Sequence, residues 1–303
     1  MTVVSDAGAY LISSLMKNIL VPTDFSAESH HAFGVALQLA RHTGGGVTLL
    51  HVLEAPESTT ANFSAYGGGG LANGDEGIDQ LFTIKLLEAT KHRMHVLKGE
   101  AARLAAGVPV HDVVETGRIG EGILAAIGRH GADLVVMGAQ GHGAMEHFFV
   151  GSNTERLIRL APCPVLTVKH DHPEFAVRTI VFPSDFTEEA AGAAEGLRRV
   201  QAAFPEASLH LLHVLADHDS QTVRQHIQAF AARAGLRHVH PEVLVADSTA
   251  AGIERYAQQV GADLVVLATH ARTGLSAFFR TSIAETVATH AFPPVLTYHL
   301  VPA

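Results

Sequence analysis

The chain is written twice. Asn18–Ser26 reads NILVPTDFS and Thr179–Thr187 reads TIVFPSDFT. LLHVLEA from Leu49 answers to LLHVLAD from Leu211, and GADLVV recurs verbatim at Gly131 and Gly261. PCPVLTV from Pro162 answers to FPPVLTY from Phe292. Four matches in one order, spaced a domain apart, mean two homologous domains and not a short-period solenoid. A length of 303 residues suits two such domains. The boundary falls at HDHPEFAVR, so the units are 16–172 and 173–303, with residues 1–15 as an extension before the first.

Each unit alternates two kinds of segment. ILVP, VTLLHVL, VHDVVE, ADLVVMGA and VLTVK are short apolar runs rich in β-branched residues. Runs apolar on both faces suit a parallel sheet covered by helices. Between them the pattern predicts helices over Glu28–His42, Leu81–Ala106, Gly120–His130 and Thr154–Leu160. In the second unit it predicts them over Glu188–Ala203, Ser220–Ala234, Ala250–Val260 and Ala284–His290. Alternation of this kind gives an α/β, doubly wound fold. The first unit carries an insertion, 56–78, with four consecutive glycines, which reads as a loop after the second strand. That is the carboxyl edge of the sheet, where α/β folds bind ligands, so a lid and a plain mobile insertion are both open readings.

Charge narrows the partners. The net charge is −9 and no basic stripe is present, which argues against nucleic acid. No apolar run approaches the length of a membrane span, and the first residues lack the basic region of a secretory leader. The single cysteine, Cys163, excludes an internal disulfide framework, fits a reducing compartment, and reads as a buried thiol between prolines. A cytoplasmic location is expected. The 21 histidines include close sets at His30/His31, His170/His172, His210/His213 and His238/His240. His238 and His240 are predicted to share a strand face; no carboxylate or cysteine joins any set at a metal-site spacing, so no metal is expected. His51 and His213 occupy equivalent positions, which points to a role in the fold.

After the fourth strand, GAQGHGAMEHFFVGSNTE runs from Gly138 to Glu155; its counterpart from Ala268 is ATHARTGLSAFFRTSIAE. Glycines let backbone N–H groups approach an anion, and Ser152 with Glu155 fits a capping box that opens a helix. A helix N-terminus favours phosphate. In the second copy Ala268, Ala271 and Thr281 replace Gly138, Gly141 and Gly151, while Ser282 and Glu285 remain. The cap therefore belongs to the fold and the glycines to a ligand. There is no Walker loop, no G-x-G-x-x-G after the first strand and no G-x-S-x-G elbow.

The frame made by Gly138, Gly141, Gly151 and Ser152 resembles the ATP-binding signature of the universal stress protein family. So do Pro22-Thr23-Asp24 at the end of the first strand and HVLE after the second. The resemblance covers nearly the whole chain in two copies. It implies two tandem five-stranded parallel sheets of order 3-2-1-4-5, paired as a pseudo-dimer through their last strands, and a homodimer of such chains. It implies ATP as cofactor, with Mg²⁺ as counter-ion to the phosphates. Asp24 would sit at the adenosine end and the Val52 backbone beside adenine. Gly138 and Gly141 would pass ribose and phosphates, and Gly151, Ser152 and Asn153 would hold the phosphates. Pro22, Thr23, Met137 and His142 complete the cofactor-binding set. Asp24 has an alternative role as the cap of the following helix.

The second unit keeps Asp185 and Val214 but has a degenerate loop, and is expected to bind ATP weakly or not at all unless Arg272 or Arg280 contacts phosphate. The implied function is that of an ATP-binding stress-response or signalling protein, with weak hydrolysis at most and protein partners unspecified. The alternatives are a slow ATPase or an enzyme phosphorylating itself near Ser152, and an interaction module whose nucleotide is structural.

Overall fold

The computed structural model describes residues 16–54, 75–139, 152–215, 221–269, 283–284, 286–288 and 291–300. The first unit runs β1 (Asn18–Pro22), α1 (Ala27–Thr43), β2 (Gly46–Leu53), α2 (Asp75–Leu104), β3 (Val110–Thr116), α3 (Ile119–His130), β4 (Leu134–Gly138), α4 (Ser152–Leu160) and β5 (Val165–Val168). The second runs β6 (Thr179–Pro183), a 3-10 turn (Glu188–Ala193), α5 (Ala194–Ala203), β7 (Ser208–Leu215), α6 (Gln221–Ala234), β8 (Val239–Val245), α7 (Thr249–Val260), β9 (Leu264–Thr269) and β10 (Val295–His299). Residues 283, 284 and 286–288 are helical.

The strands form one sheet in the order β3-β2-β1-β4-β5-β10-β9-β6-β7-β8, which is 3-2-1-4-5 in each unit. Every pairing within a unit is parallel. β1 and β4, central in the first unit, are buried on both faces, as a sheet covered by helices requires.

The verbatim repeat has a structural cause. Asp133 accepts the Lys17 N–H at 3.0 Å and the Asn18 N–H at 3.1 Å; Asp263 accepts those of Arg178 and Thr179 at 2.8 and 2.9 Å. Each carboxylate thus holds the entry of its unit's first strand beside the fourth. The preceding glycines, Gly131 and Gly261, end α3 and α7 in the left-handed region, at φ 58° and 61°.

The units meet where β5 and β10 pair antiparallel, Val295 opposite Thr167, Leu296 opposite Leu166 and Thr297 opposite Val165. The Thr167 and Thr297 hydroxyls donate across this seam to the carbonyls of Val295 and Val165, both at 3.3 Å. Lys169, buried just past β5, donates from Nζ to the Ala291 carbonyl at 2.7 Å. Burial pushes its ammonium pKa down to about 8. The connecting segment is held by Gln38 of α1, which donates to the His172 carbonyl at 2.8 Å and accepts from the Phe175 N–H at 2.6 Å.

Three expectations change. α2 starts at Asp75, not Leu81, so the last residues of the 56–78 insertion are helical. The segment predicted as one helix from Glu188 begins as a 3-10 turn. His238 precedes β8 with φ 52° and does not share a strand face with His240. His240 lies instead opposite His210 of β7, with ring centroids 4.8 Å apart, and His210 Nδ1 is 2.8 Å from the Tyr256 hydroxyl. Burial, then the neighbouring His240, lowers the His210 pKa. Cys163 is partly buried; burial, with Asp133 nearby, pushes its thiol up to about 12, so it is not a nucleophile.

Candidate functional site

The end of β1 is built by backbone bonds. The Thr23 N–H donates to the Leu50 carbonyl at 2.8 Å, so the chain leaves the sheet beside β2. Thr23 is buried, with its hydroxyl 3.0 Å from that of Ser29, and accepts from the Phe25 N–H at 3.1 Å. His51 Nδ1 lies 2.7 Å from the Thr23 carbonyl and therefore carries a proton there. His213 repeats the contact with the Ser184 carbonyl at 2.9 Å, which gives both histidines the fold role their equivalence suggested. Phe25 follows at φ 65° and Phe186 at φ 51°, so both units make the same left-handed turn without glycine.

That turn leaves Asp24 at the rim. Its Oδ1 accepts from the Ser26 N–H at 3.0 Å and from the Ser26 hydroxyl at 2.5 Å. Burial would raise its pKa, but the hydrogen bonds from Ser26 and Ser29 outweigh it and hold the carboxyl below its usual value. Ser26, not Asp24, caps α1, accepting from the Ser29 N–H at 3.2 Å. The capping alternative for Asp24 is therefore set aside, and its charge faces the cavity beyond.

That cavity, about 270 Å³, lies at the carboxyl edge of β1, β2 and β4, near the lower end of the range of small-molecule sites, roughly 300 Å³ upward. Seven of the expected residues line it: Pro22, Thr23, Asp24, Val52, Met137, Gly138 and Asn153. Asp24 stands on the β1 side, and Asn153 with Thr154 in the first turn of α4. Ser152 opens α4, as the cap pattern predicted; its side chain, and all of Gly141, His142 and Gly151, lie outside the described residues. Sequence reasoning missed Glu28, Ser29, Ile119, Ile123 and Thr154 in the lining. It also missed Gly122 of α3, where a Cβ would come 3.0 Å from Val52 Cγ1. The signal was present, because the second unit repeats it with Gly252 against Val214.

Gly138 also has a packing role. It ends β4 and is not in the left-handed region. A Cβ there would lie 2.6 Å from the Glu28 carbonyl carbon and 2.7 Å from the Ser29 nitrogen. The first turn of α1 crosses so close to β4 that only glycine fits, whether or not a ligand is bound. The counterparts of Glu28 and Ser29 in the second unit, Glu189 and Ala190, belong to the 3-10 turn, where Ala268 replaces the glycine.

The second unit has the equivalent cavity, about 280 Å³. Ser184, Asp185, His213, Val214 and Ile253 stand where Thr23, Asp24, His51, Val52 and Ile123 stand in the first. Ile283 and Ala284 stand where Asn153 and Thr154 do. Among the described residues no group of three histidine, cysteine or carboxylate side chains could hold a metal ion, and no helix is long and apolar enough to cross a membrane.

The family model described as the universal stress protein family matches residues 16–169 and again 176–299. A candidate universal stress protein of Staphylococcus epidermidis is 33% identical over 179 residues, 58% of this chain and 92% of its own. A universal stress protein of Methanocaldococcus jannaschii is 30% identical over 160 residues, 52% of this chain and 98% of its own. Among solved structures, a universal stress protein from Archaeoglobus fulgidus superposes with a TM-score of 0.66 at 20% identity, covering 94% of this chain and 98% of that one. The two units, their shared strand order and the two family matches make this chain a member of the universal stress protein family, with two such domains in tandem.

Proposed function

We propose that the chain is an ATP-binding stress-response or signalling protein that holds its nucleotide in the first unit. The carrying observation is the contrast between two cavities of nearly equal size. In the first, a carboxylate stands on one side and an amide and a hydroxyl at a helix start on the other. In the second, that polar pair is Ile283 and Ala284.

In this reading Asp24 accepts from the ribose or base, with Pro22, Thr23, Met137 and the Val52 backbone along the nucleoside. Asn153 and the first N–H groups of α4 donate to phosphate. The family pattern adds Gly138, Gly141, His142, Gly151 and Ser152 on the phosphate side, and Mg²⁺ would neutralise charge there. No base stands out for hydrolysis; a site that holds ground and transition states alike gives no acceleration, so turnover is slow at most. Pairing of the units as a pseudo-dimer, association of two chains, a cytoplasmic location and protein partners that sense occupancy belong to the same proposal. The test is the double variant Asn153→Ile, Thr154→Ala, which copies the second unit. Removing donors to a charged group costs about 1.5–3 kcal/mol each, so ATP affinity should fall at least about tenfold by calorimetry. Unchanged affinity in the folded variant contradicts the proposal.

A further inference from the structure

The amino edge of the second unit holds a side-chain cluster that the first does not repeat. His210 of β7 and His240 of the edge strand β8 stand opposite each other in the register, with their rings stacked at 4.8 Å between centroids. His210 is half-buried, and its Nδ1 lies 2.8 Å from the hydroxyl of Tyr256, a buried residue of α7. Two titratable rings and a phenol thus join β7, β8 and α7 at one point. The first unit keeps only His111 of this set, with Thr48 at the His210 position and Ala126 at the Tyr256 position.

The surroundings of the pair fix how it responds to protons. On the β6 side His210 faces Val181. On β8, Glu242 bears on both His210 and Tyr256. From α6, Arg224 reaches the Pro241 carbonyl at 2.9 Å and bears on Tyr256. From α7, Arg255 reaches the Val245 carbonyl at 2.6 Å, further along β8. Burial, then Glu242, pushes the Tyr256 phenol up to about 12, so it stays an uncharged hydroxyl in acid. Burial, then His240, holds His210 below its ordinary value of 6.5, with Glu242 opposing them. A neutral His210 can accept the tyrosine's proton at Nδ1. A protonated ring donates there instead and displaces that proton from its acceptor. It also sets a cation against a second histidine at stacking distance.

We infer that the His210–His240 pair is an acid-operated latch on α7. Neutral, it holds the helix to the edge of the sheet; protonated, it releases the helix and β8 with it. The effect reaches the second cavity, because Thr249 and Ile253, which share a face of α7 with Tyr256, line its wall. Acid therefore loosens that cavity, while the first unit, built without the latch, keeps its own. Between 6.5 and the lower folded value the released state binds the extra proton, so the latch is fully closed above 6.5 and weakens as pH falls through that window. Nothing in this device depends on what the first cavity binds.

The test is hydrogen exchange of the whole chain, read by mass spectrometry at about pH 7.5 and about pH 5.0 and corrected for the intrinsic exchange rate. One proton taken up on release changes the opening equilibrium by up to about tenfold per pH unit. The result expected is a loss of protection of about tenfold in β8 and α7, with α3 of the first unit unchanged. His210→Gln, which keeps an acceptor for Tyr256 and cannot titrate, should abolish the loss. His240 is exposed, so His240→Gln leaves the core untouched and should reduce it. No loss in acid, an equal loss in α3 and α7, or a loss that either folded variant leaves unchanged overturns the inference.

Discussion

At the residue scale, Gly138 joins packing to function. The Glu28 carbonyl carbon lies 2.6 Å from where its Cβ would be, and a backbone contact of that kind yields only if α1 moves. Gly138→Ala should therefore destabilise the first unit by about 1–3 kcal/mol, as overpacking does, and weaken nucleotide binding with it. Chemical denaturation followed with and without ATP checks both effects; full stability would show that the α1 start is not constrained as described. The reverse change, Ala268→Gly, should cost no more than about 1 kcal/mol, since it adds only backbone freedom. Comparison of the two copies assigns Gly138 to the ligand because the glycine occurs once. A linear comparison does not register that the facing turn had changed from α to 3-10 at Glu188–Ala193. Asp24 follows β1 at the carboxyl edge where such folds bind, whereas Val52 came from the family likeness; both line the first cavity. Gly122 was legible only through the repeat, because a glycine inside one helix pattern does not say which valine it faces, whereas the paired Gly122/Val52 and Gly252/Val214 do.

At the scale of elements, each strand-helix step is fixed by a few local devices. Asp133 and Asp263 pin the entry of β1 and β6, Ser26 caps α1, and Gly131 and Gly261 end their helices. The alternation of apolar runs and amphipathic segments made both five-stranded sheets readable, with their order supplied by the family likeness. The start of α2 was less readable. Its first residues lie beside a glycine tract, and that composition dominated the sequence signal. Gln38 shows what an element does for its neighbours: its amide makes two bonds to the connecting segment. Gln38→Ala removes both. At about 0.5–1.5 kcal/mol each, the expected loss is about 1–3 kcal/mol, with faster proteolysis between His172 and Phe175. Unaltered stability and cleavage would show that the segment is held by other contacts.

At the scale of the whole molecule, the two sheets become one through β5 and β10, and Lys169 sits buried beside that seam. Its folded pKa of about 8 lies below the ordinary lysine value of 10.5. Between those values the unfolded chain binds the extra proton, so this lysine makes stability rise with pH from about 8 to 10.5. Below pH 8 the buried ammonium carries its full desolvation penalty. Lys169→Met should flatten that window, as read by denaturation at stepped pH; an unchanged slope would assign it to other groups. The same molecule presents two cavities of similar size; among the described residues, the helix start lining one is Asn153 and Thr154 and that lining the other is Ile283 and Ala284. The central claim is that this difference confines ATP to one of them. Calorimetric titration of the purified, nucleotide-stripped chain with ATP measures it directly. The account predicts one ATP per chain, bound at least about tenfold more weakly in the Asn153→Ile, Thr154→Ala variant; two per chain, or one whose affinity that variant leaves unchanged, would contradict it.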